Sequence, residues 1–253
     1  MDINNLSNII RLEKDEVSLN YKYWDSSSEL TGIDICSYEY DLPILKEEYS
    51  FYPAESEPML YDTYVKDPFG SKSLIKIESM KDYTLSAKCN CISNIAKILG
   101  ATYFKFNIEV EGFEERCWDS QNEMSTKTIK LDLDIKNETE NKLNRRFSDE
   151  REYSQGGIPT IKNYNEAVKM AKQYHLVADP KIIGILEQRD PNSSSNNMIK
   201  NWDLSFSLTQ ELNSNLDIAF KLNAMQGLFK LDSKFKETTK NRYSLVALLK
   251  LRF

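Results

Sequence analysis

NWDLSFSLTQELNSNLDIAFKLNAMQGLFKLDSKFKETTKNRYSLVALLKLRF, residues 201–253, carries apolar side chains on alternate positions for most of its length. Trp202, Leu204, Phe206 and Leu208 form one run, and Leu216, Ile218, Phe220 and Leu222 the next. Phe229 and Leu231, with Phe235 further on, make a third. Tyr243, Leu245, Ala247, Leu249, Leu251 and Phe253 make the last. Successive side chains of a strand point to opposite faces, so this period predicts half-buried β-strands. The polar positions between them (Asp203, Ser205, Ser207, Thr209, Asp217, Lys221) predict one wet face. The expected fold class is α+β, an antiparallel sheet with a C-terminal four-strand meander and about three helices packed around it.

The middle of the chain, 71–197, reads as mixed helix and strand. Leu74–Ile77 and Tyr83–Cys89 are expected as short strands. Ile92, Ile95, Ala96 and Leu99 follow helical spacing, with Gly100 placed to end the helix. Phe104, Phe106, Ile108 and Val110 alternate, as do Ile129, Leu131, Leu133 and Ile135, so the two runs could pair as a hairpin. Residues 137–160 are polar, contain Gly156-Gly157 and Pro159, and predict a long loop. Helices are expected from Asn163, with Glu166 completing a capping box, and from Asp179-Pro180, carrying Ile182, Ile183 and Leu186. Core candidates are Ile95, Leu99, Phe106, Ile108, Leu131, Leu133, Val168, Ile183, Leu204, Phe206, Ile218, Phe220, Leu249 and Leu251.

Residues 1–70 look irregular. Ile9, Ile10 and Leu12 open a strand, and Val17, Leu19, Tyr21 and Tyr23 follow at period two. Pro43, Pro53, Pro58 and Pro68 argue against long regular elements beyond them. The whole chain, 1–253, is expected as a single domain. Its parts are an acidic, Tyr/Pro-rich wrapping segment (1–70), the mixed region (71–197) and the β-meander (198–253).

Charge is unevenly placed. The net is −6, yet residues 1–70 hold 15 acidic against 5 basic residues, while 198–253 hold 9 basic against 5 acidic. Opposed charge at the two ends suits a contact within one chain or between copies. Lysine outnumbers arginine 25 to 8 and forms no dense stripe, so there is no strong nucleic-acid signal. The start, Met1–Leu12, lacks a basic, then apolar, order, and no run nears the ~20 apolar residues of a membrane-spanning helix. A cytoplasmic, soluble protein with reduced thiols is expected. Cys36, Cys89, Cys91 and Cys117 lack paired metal-ligand spacing and His175 is the single histidine, so neither metal nor cofactor is expected.

Four kinds of chemistry compete. Asp134-Ile135-Lys136 fits the acid-x-Lys half of a Mg²⁺-dependent nuclease strand, and Glu109 or Glu111 could supply the second acid. Against this, Lys130, Asp132, Asp134 and Lys136 also read as one ordinary solvated strand face. Phosphate loops and nucleophile elbows are absent, which points away from an enzyme. Amphipathic strands ending on Phe253 are similar to the last strand of outer-membrane barrels, so a soluble pore-forming or membrane-remodelling protein is an alternative, and conditional membrane contact stays open. The leading reading is a binding or assembly protein that contacts itself or another protein. Eight of the 14 tyrosines fall within residues 1–70, and Tyr38, Tyr40, Tyr49, Tyr52, Tyr61 and Tyr64 are its interface candidates. The competing view packs these rings onto the chain's own sheet.

Overall fold

In the computed structural model, residues 6–23, 32–118, 124–129, 133–154, 156–178, 180–193, 200–207 and 241–253 are described. The chain divides into two compact units, 1–83 with 214–239 and 84–213 with 240–253. The architecture is α+β with two sheets, one mixed and one antiparallel, and six α-helices among the described residues.

The first unit is built on β1 (Ile9–Glu13), whose five residues IIRLE are all buried. Helix α1 (Asp15–Tyr23) connects it to a parallel neighbour, β2 (Ile33–Ser37). Helix α2 (Asp41–Glu48) leads on to β3 (Ser50–Tyr52), β4 (Thr63–Lys66) and β5 (Ser73–Lys76). The sheet order is β2-β1-β4-β5-β3. Strand β4 pairs antiparallel with β1 and β5, while β3 and β5 are parallel. One face gathers Ile9, Ile35, Val65, Ile75 and Met80, and the other Ile10, Leu12, Leu42, Leu45, Tyr64 and Leu74. A strand covered on both faces reads as a continuous apolar run, and β1 does so apart from its two charged residues.

This corrects the irregular reading of 1–70. Pro43 falls in the first turn of α2, where its missing N–H has no helical partner in any case. The period-two run Val17–Tyr23 is helical. Ser18 takes the inward position and donates to the Ile35 carbonyl at 3.1 Å, while Leu19 is exposed. Asp15 and Glu16 in the first turn favour the helix through its dipole.

The second unit is a one-sided antiparallel sheet. Its centre is β6 (Tyr103–Trp118) paired along most of its length with β10 (Asn241–Arg252), and β9 (Asn201–Ser207) follows β10. The other edge of β6 meets β8 (Asp149–Glu152) at 103–106 and β7 (Met124–Ile129) at 113–118. Phe104, Phe106, Ile108 and Val110 face Leu251, Leu249, Ala247 and Leu245 in register, and all eight are buried. A bulge between Ser244 and Leu245 leaves Glu111 without an opposite residue. Against this face pack α3 (Met80–Ile98), α4 (Leu133–Phe147), α5 (Ile161–Gln173) and α6 (Pro180–Gln188).

Several expectations are corrected here. Tyr83–Cys89 is helical, because α3 begins at Met80, well before Ile92. Of the expected strand 129–135, Ile129 ends β7 and pairs with β6, residues 130–132 lie outside the described residues, and from Leu133 the chain is helical as α4. The expected loop 137–160 is replaced up to Glu152 by the rest of α4 and by β8. Leu143 and Phe147, one turn apart, anchor α4 to the core. Helix α5 is capped by Thr160, whose Oγ1 accepts from the Asn163 N–H at 3.2 Å, rather than starting at Asn163. Six helices replace about three. Of the core candidates, Ile95, Leu99, Phe106, Ile108, Leu204, Leu249 and Leu251 are buried and Val168 is half-buried. Ile183 is exposed, because Ile182, Ile185 and Leu186 take the inward side of α6. Phe206 lies on β9 opposite Ala247, and Leu133 opens α4. Leu131, Ile218, Phe220 and the middle strands of the expected meander lie outside the described residues.

Gly100 ends α3 at φ 87°, with the Ala101 N–H on the Ala96 carbonyl at 2.9 Å. A Cβ there would come within 2.0 Å of the Gly157 oxygen, so only glycine fits. Arg189, buried, donates to the Leu99 carbonyl through Nη2 at 2.8 Å and also to the Gly157 carbonyl. Its guanidinium lies 4.3 Å from the centre of the Phe253 ring.

Between β8 and β7, helix α4 completes the edge of β6. The Asn144 Oδ1 accepts from the Ile108 N–H at 2.7 Å, and its Nδ2 donates to the Ile108 carbonyl at 2.8 Å. The Val110 N–H donates to Glu140 Oε1 at 3.0 Å. Asn144→Leu leaves both backbone groups of Ile108 unmatched and should lower stability by about 1–3 kcal/mol. A urea denaturation midpoint equal to that of the parent would show that the edge is satisfied in another way.

Candidate functional site

The parallel strands β1 and β2 end side by side, and a polar cluster sits there. On one face of β1, Arg11 and Glu13 follow Ile9. The Arg11 Nε lies 3.0 Å from Glu13 Oε1, and its Nη1 donates to Thr63 Oγ1 at 3.0 Å on β4. The Tyr61 ring, carried at φ 75°, lies 5.7 Å from the guanidinium carbon. Arg11 and Glu13 are 2 % and 4 % exposed. Burial, and then the nearby Glu13 carboxylate, push the Tyr21 hydroxyl above its ordinary range. A pair this enclosed fixes β1 against β4 and presents no open group to a substrate.

The turn after β2 sets the neighbouring surface. The Ser37 Oγ accepts from the N–H groups of Glu39 and Tyr40 at 3.2 and 3.0 Å, and Asp41 Oδ2 accepts from the Ser37 N–H at 2.8 Å. The start of α2 is thereby held. Its inward side buries Leu42 and Leu45. Its outward side shows Tyr40, 65 % exposed, and Ile44, 39 % exposed, one turn apart, with exposed Pro43 between them. Glu39 and Glu47, also exposed, flank them and form no ion pair among the described residues. Lys46 and Glu48 are engaged sideways, with Glu57 at 2.7 Å and Lys72 at 3.1 Å.

The other interface candidates turn inward. Tyr64 is buried, donates to Asp62 Oδ2 at 3.1 Å and meets Phe51 edge-on at 5.0 Å. Burial first, and then Asp62, raise its pKa. Tyr38 and Tyr49 pack against the cluster around Leu42 and Leu45. Tyr52 meets Tyr83 edge-on at 5.0 Å, and Tyr61 covers Arg11. Tyr40 alone of the six stands fully on the surface.

The residues singled out for nuclease chemistry fall on different elements. Glu109 is exposed on β6, and Glu111 sits at the bulge of that strand. Asp134 and Lys136 belong to α4, so the strand geometry that an acid-x-Lys motif requires is missing at those positions. The wet side of the sheet carries a salt-linked group instead. Glu150 accepts from the Tyr103 hydroxyl at 2.7 Å and from Lys105 Nζ at 2.9 Å, and these bonds hold its carboxyl below the usual range. In register, Lys105 faces Lys250, which faces Asp203.

Cys36, Cys89 and Cys91 are buried and form no disulfide among the described residues. Burial pushes both Cys89 and Cys91 up to about 12. No group of three or more metal-binding side chains occurs among the described residues. Nor is any helix there long and apolar enough to cross a membrane. An open groove between α3 and α5 is lined by Asn94, Lys97, Ile98, Asn163, Glu166 and Met170. Comparison of the chain with family models, curated proteins and solved structures gives no match in any of the three.

Arg11→Met strands Glu13 as an unpaired buried charge and should cost about 3–5 kcal/mol, while the double replacement Arg11→Met/Glu13→Leu should cost far less. Equal losses in the two proteins, measured by chemical denaturation, would show that the pair is not the unit. With pKa values near 12, only about one thiol in ten thousand is ionised at pH 8. Iodoacetamide should therefore label Cys89 and Cys91 at pH 8 much more slowly in the folded protein than in urea, as read by mass spectrometry. Equal labelling rates would contradict their burial.

Proposed function

We propose that the chain is a non-enzymatic binding and assembly protein, a cytoplasmic subunit of a homo- or hetero-oligomer. The observation that carries this reading is the outward face of α2. Tyr40 and Ile44 stand in solvent there, on a helix whose start is held by Ser37 and Asp41. A held aromatic side chain offers contact area with little ordering cost, and the acids around it give the surface a sign. The buried state of Arg11, Glu13, Cys36, Cys89 and Cys91 also favours binding over chemistry, since each is enclosed by the chain's own side chains.

Mass photometry and sedimentation from nanomolar to micromolar concentration test the reading. The expected result is a discrete multiple of the chain mass, or a stoichiometric complex with a defined protein. Ile44→Asp should shift the distribution to single chains that keep the circular dichroism spectrum of the wild type. A wild-type protein that stays a single chain throughout and binds no protein would sink the proposal.

A further inference from the structure

The face on α2 has a counterpart in the second unit. Helix α5 turns Ala167 and Ala171 into the core. Its opposite side carries Lys162, Lys169 and Lys172, all exposed, and none of them forms an ion pair among the described residues. Ile161 at the head of the helix is 55 % exposed, and Ile158 just before it is 69 % exposed. At ~100° per residue, Ile161, Lys162, Lys169 and Lys172 share an arc of about 100°. The outward residues Tyr40, Pro43, Ile44 and Glu47 of α2 share an arc of about the same width.

We propose that these two faces bind each other between copies of the chain. The acid-and-tyrosine face of α2 in one copy seats on the lysine-and-isoleucine face of α5 in the next. This rests on the assembly reading above and names its surfaces. The argument for a second copy as the occupant is complementarity. The α2 face is an apolar strip, Tyr40, Pro43 and Ile44, with Glu39 and Glu47 at its ends. The α5 face carries Ile158 and Ile161 at its head and three lysines along it, with Glu166 as the one exposed acid beside them, so the net signs of the two faces are opposite. The three lysines, Glu39 and Glu47 form no ion pair among the described residues. Isolated exposed ion pairs contribute little, so the apolar residues supply the area while the charges set register and exclude the wrong face. Two like copies of α2 repel, as do two of α5, so the contact is head-to-tail. A head-to-tail contact generates a ring or a filament according to the rotation it imposes.

The experiment uses two full-length variants. One is Lys162→Glu/Lys169→Glu/Lys172→Glu, whose two faces are both acidic. The other is Glu39→Lys/Glu47→Lys, whose two faces are both basic. Each alone should sediment as single chains and keep its circular dichroism spectrum. An equal mixture should regain the wild-type assembly with the two variants alternating, and high salt should weaken it. If the triple reversal fails to fold, Lys169→Gln/Lys172→Gln replaces it and should raise the dissociation constant about tenfold. Assembly by a folded variant alone, at wild-type strength, would overturn the inference and leave the assembly reading standing. Failure of the mixture to recover would overturn it too. A wild type that is a single chain defeats both.

Discussion

Along the stretch of β6 that neither β8 nor β7 reaches, its edge is finished by side chains. The amide of Asn144 presents an acceptor and a donor to Ile108 as a neighbouring peptide would, and Glu140 takes the N–H of Val110. An open strand edge invites pairing with other chains, and an unmatched buried peptide group is costly. Helix α4 meets both demands while its Leu143 and Phe147 reach into the core. With that edge closed, β6 can present Phe104, Phe106, Ile108 and Val110 as one apolar row, on which β10 and the helices are arranged.

The same device explains what could be read from the residues and what could not. Period-two alternation is a local property, so β6, β9 and β10 were legible wherever one face is buried and the other wet. Helix α4 was not. Its sequence from Asn137 to Phe147 has only two apolar side chains, and its bonds to β6 cross 30 and 36 positions. Helix α1 misled for the opposite reason. Val17, Leu19, Tyr21 and Tyr23 alternate like a strand, but a serine faces inward and a leucine faces water. Neither role can be inferred from hydropathy.

At the candidate site, composition singled out a segment and gave too little discrimination within it. Tyrosine and acid are concentrated in residues 1–70, yet most of those rings serve the first unit's own packing. Tyr64 and Tyr61 are consumed by Asp62 and Arg11. Tyr40 escapes because Ser37 turns the chain there, a three-residue hydrogen-bonded event with no hydropathy signal. The lysines of α5 went unnoticed because three positive charges spread over one helix do not alter the charge of the region, whereas their shared arc depends on helical phase.

The position of β10 constrains how the second unit can form. Thr102 donates to the carbonyl of Arg252 at 2.6 Å, and β10 lies between β6 and β9 instead of at the rim. The sheet's central ladder therefore joins segments well over a hundred residues apart, and such closures are entropically slow. During synthesis β6 leaves the ribosome long before its principal partner exists. The first unit's five strands lie within one short span of chain and suffer no such delay. The two sheets thus differ in kinetic character: the first is assembled from near neighbours, and the second stays half-made until β10 arrives.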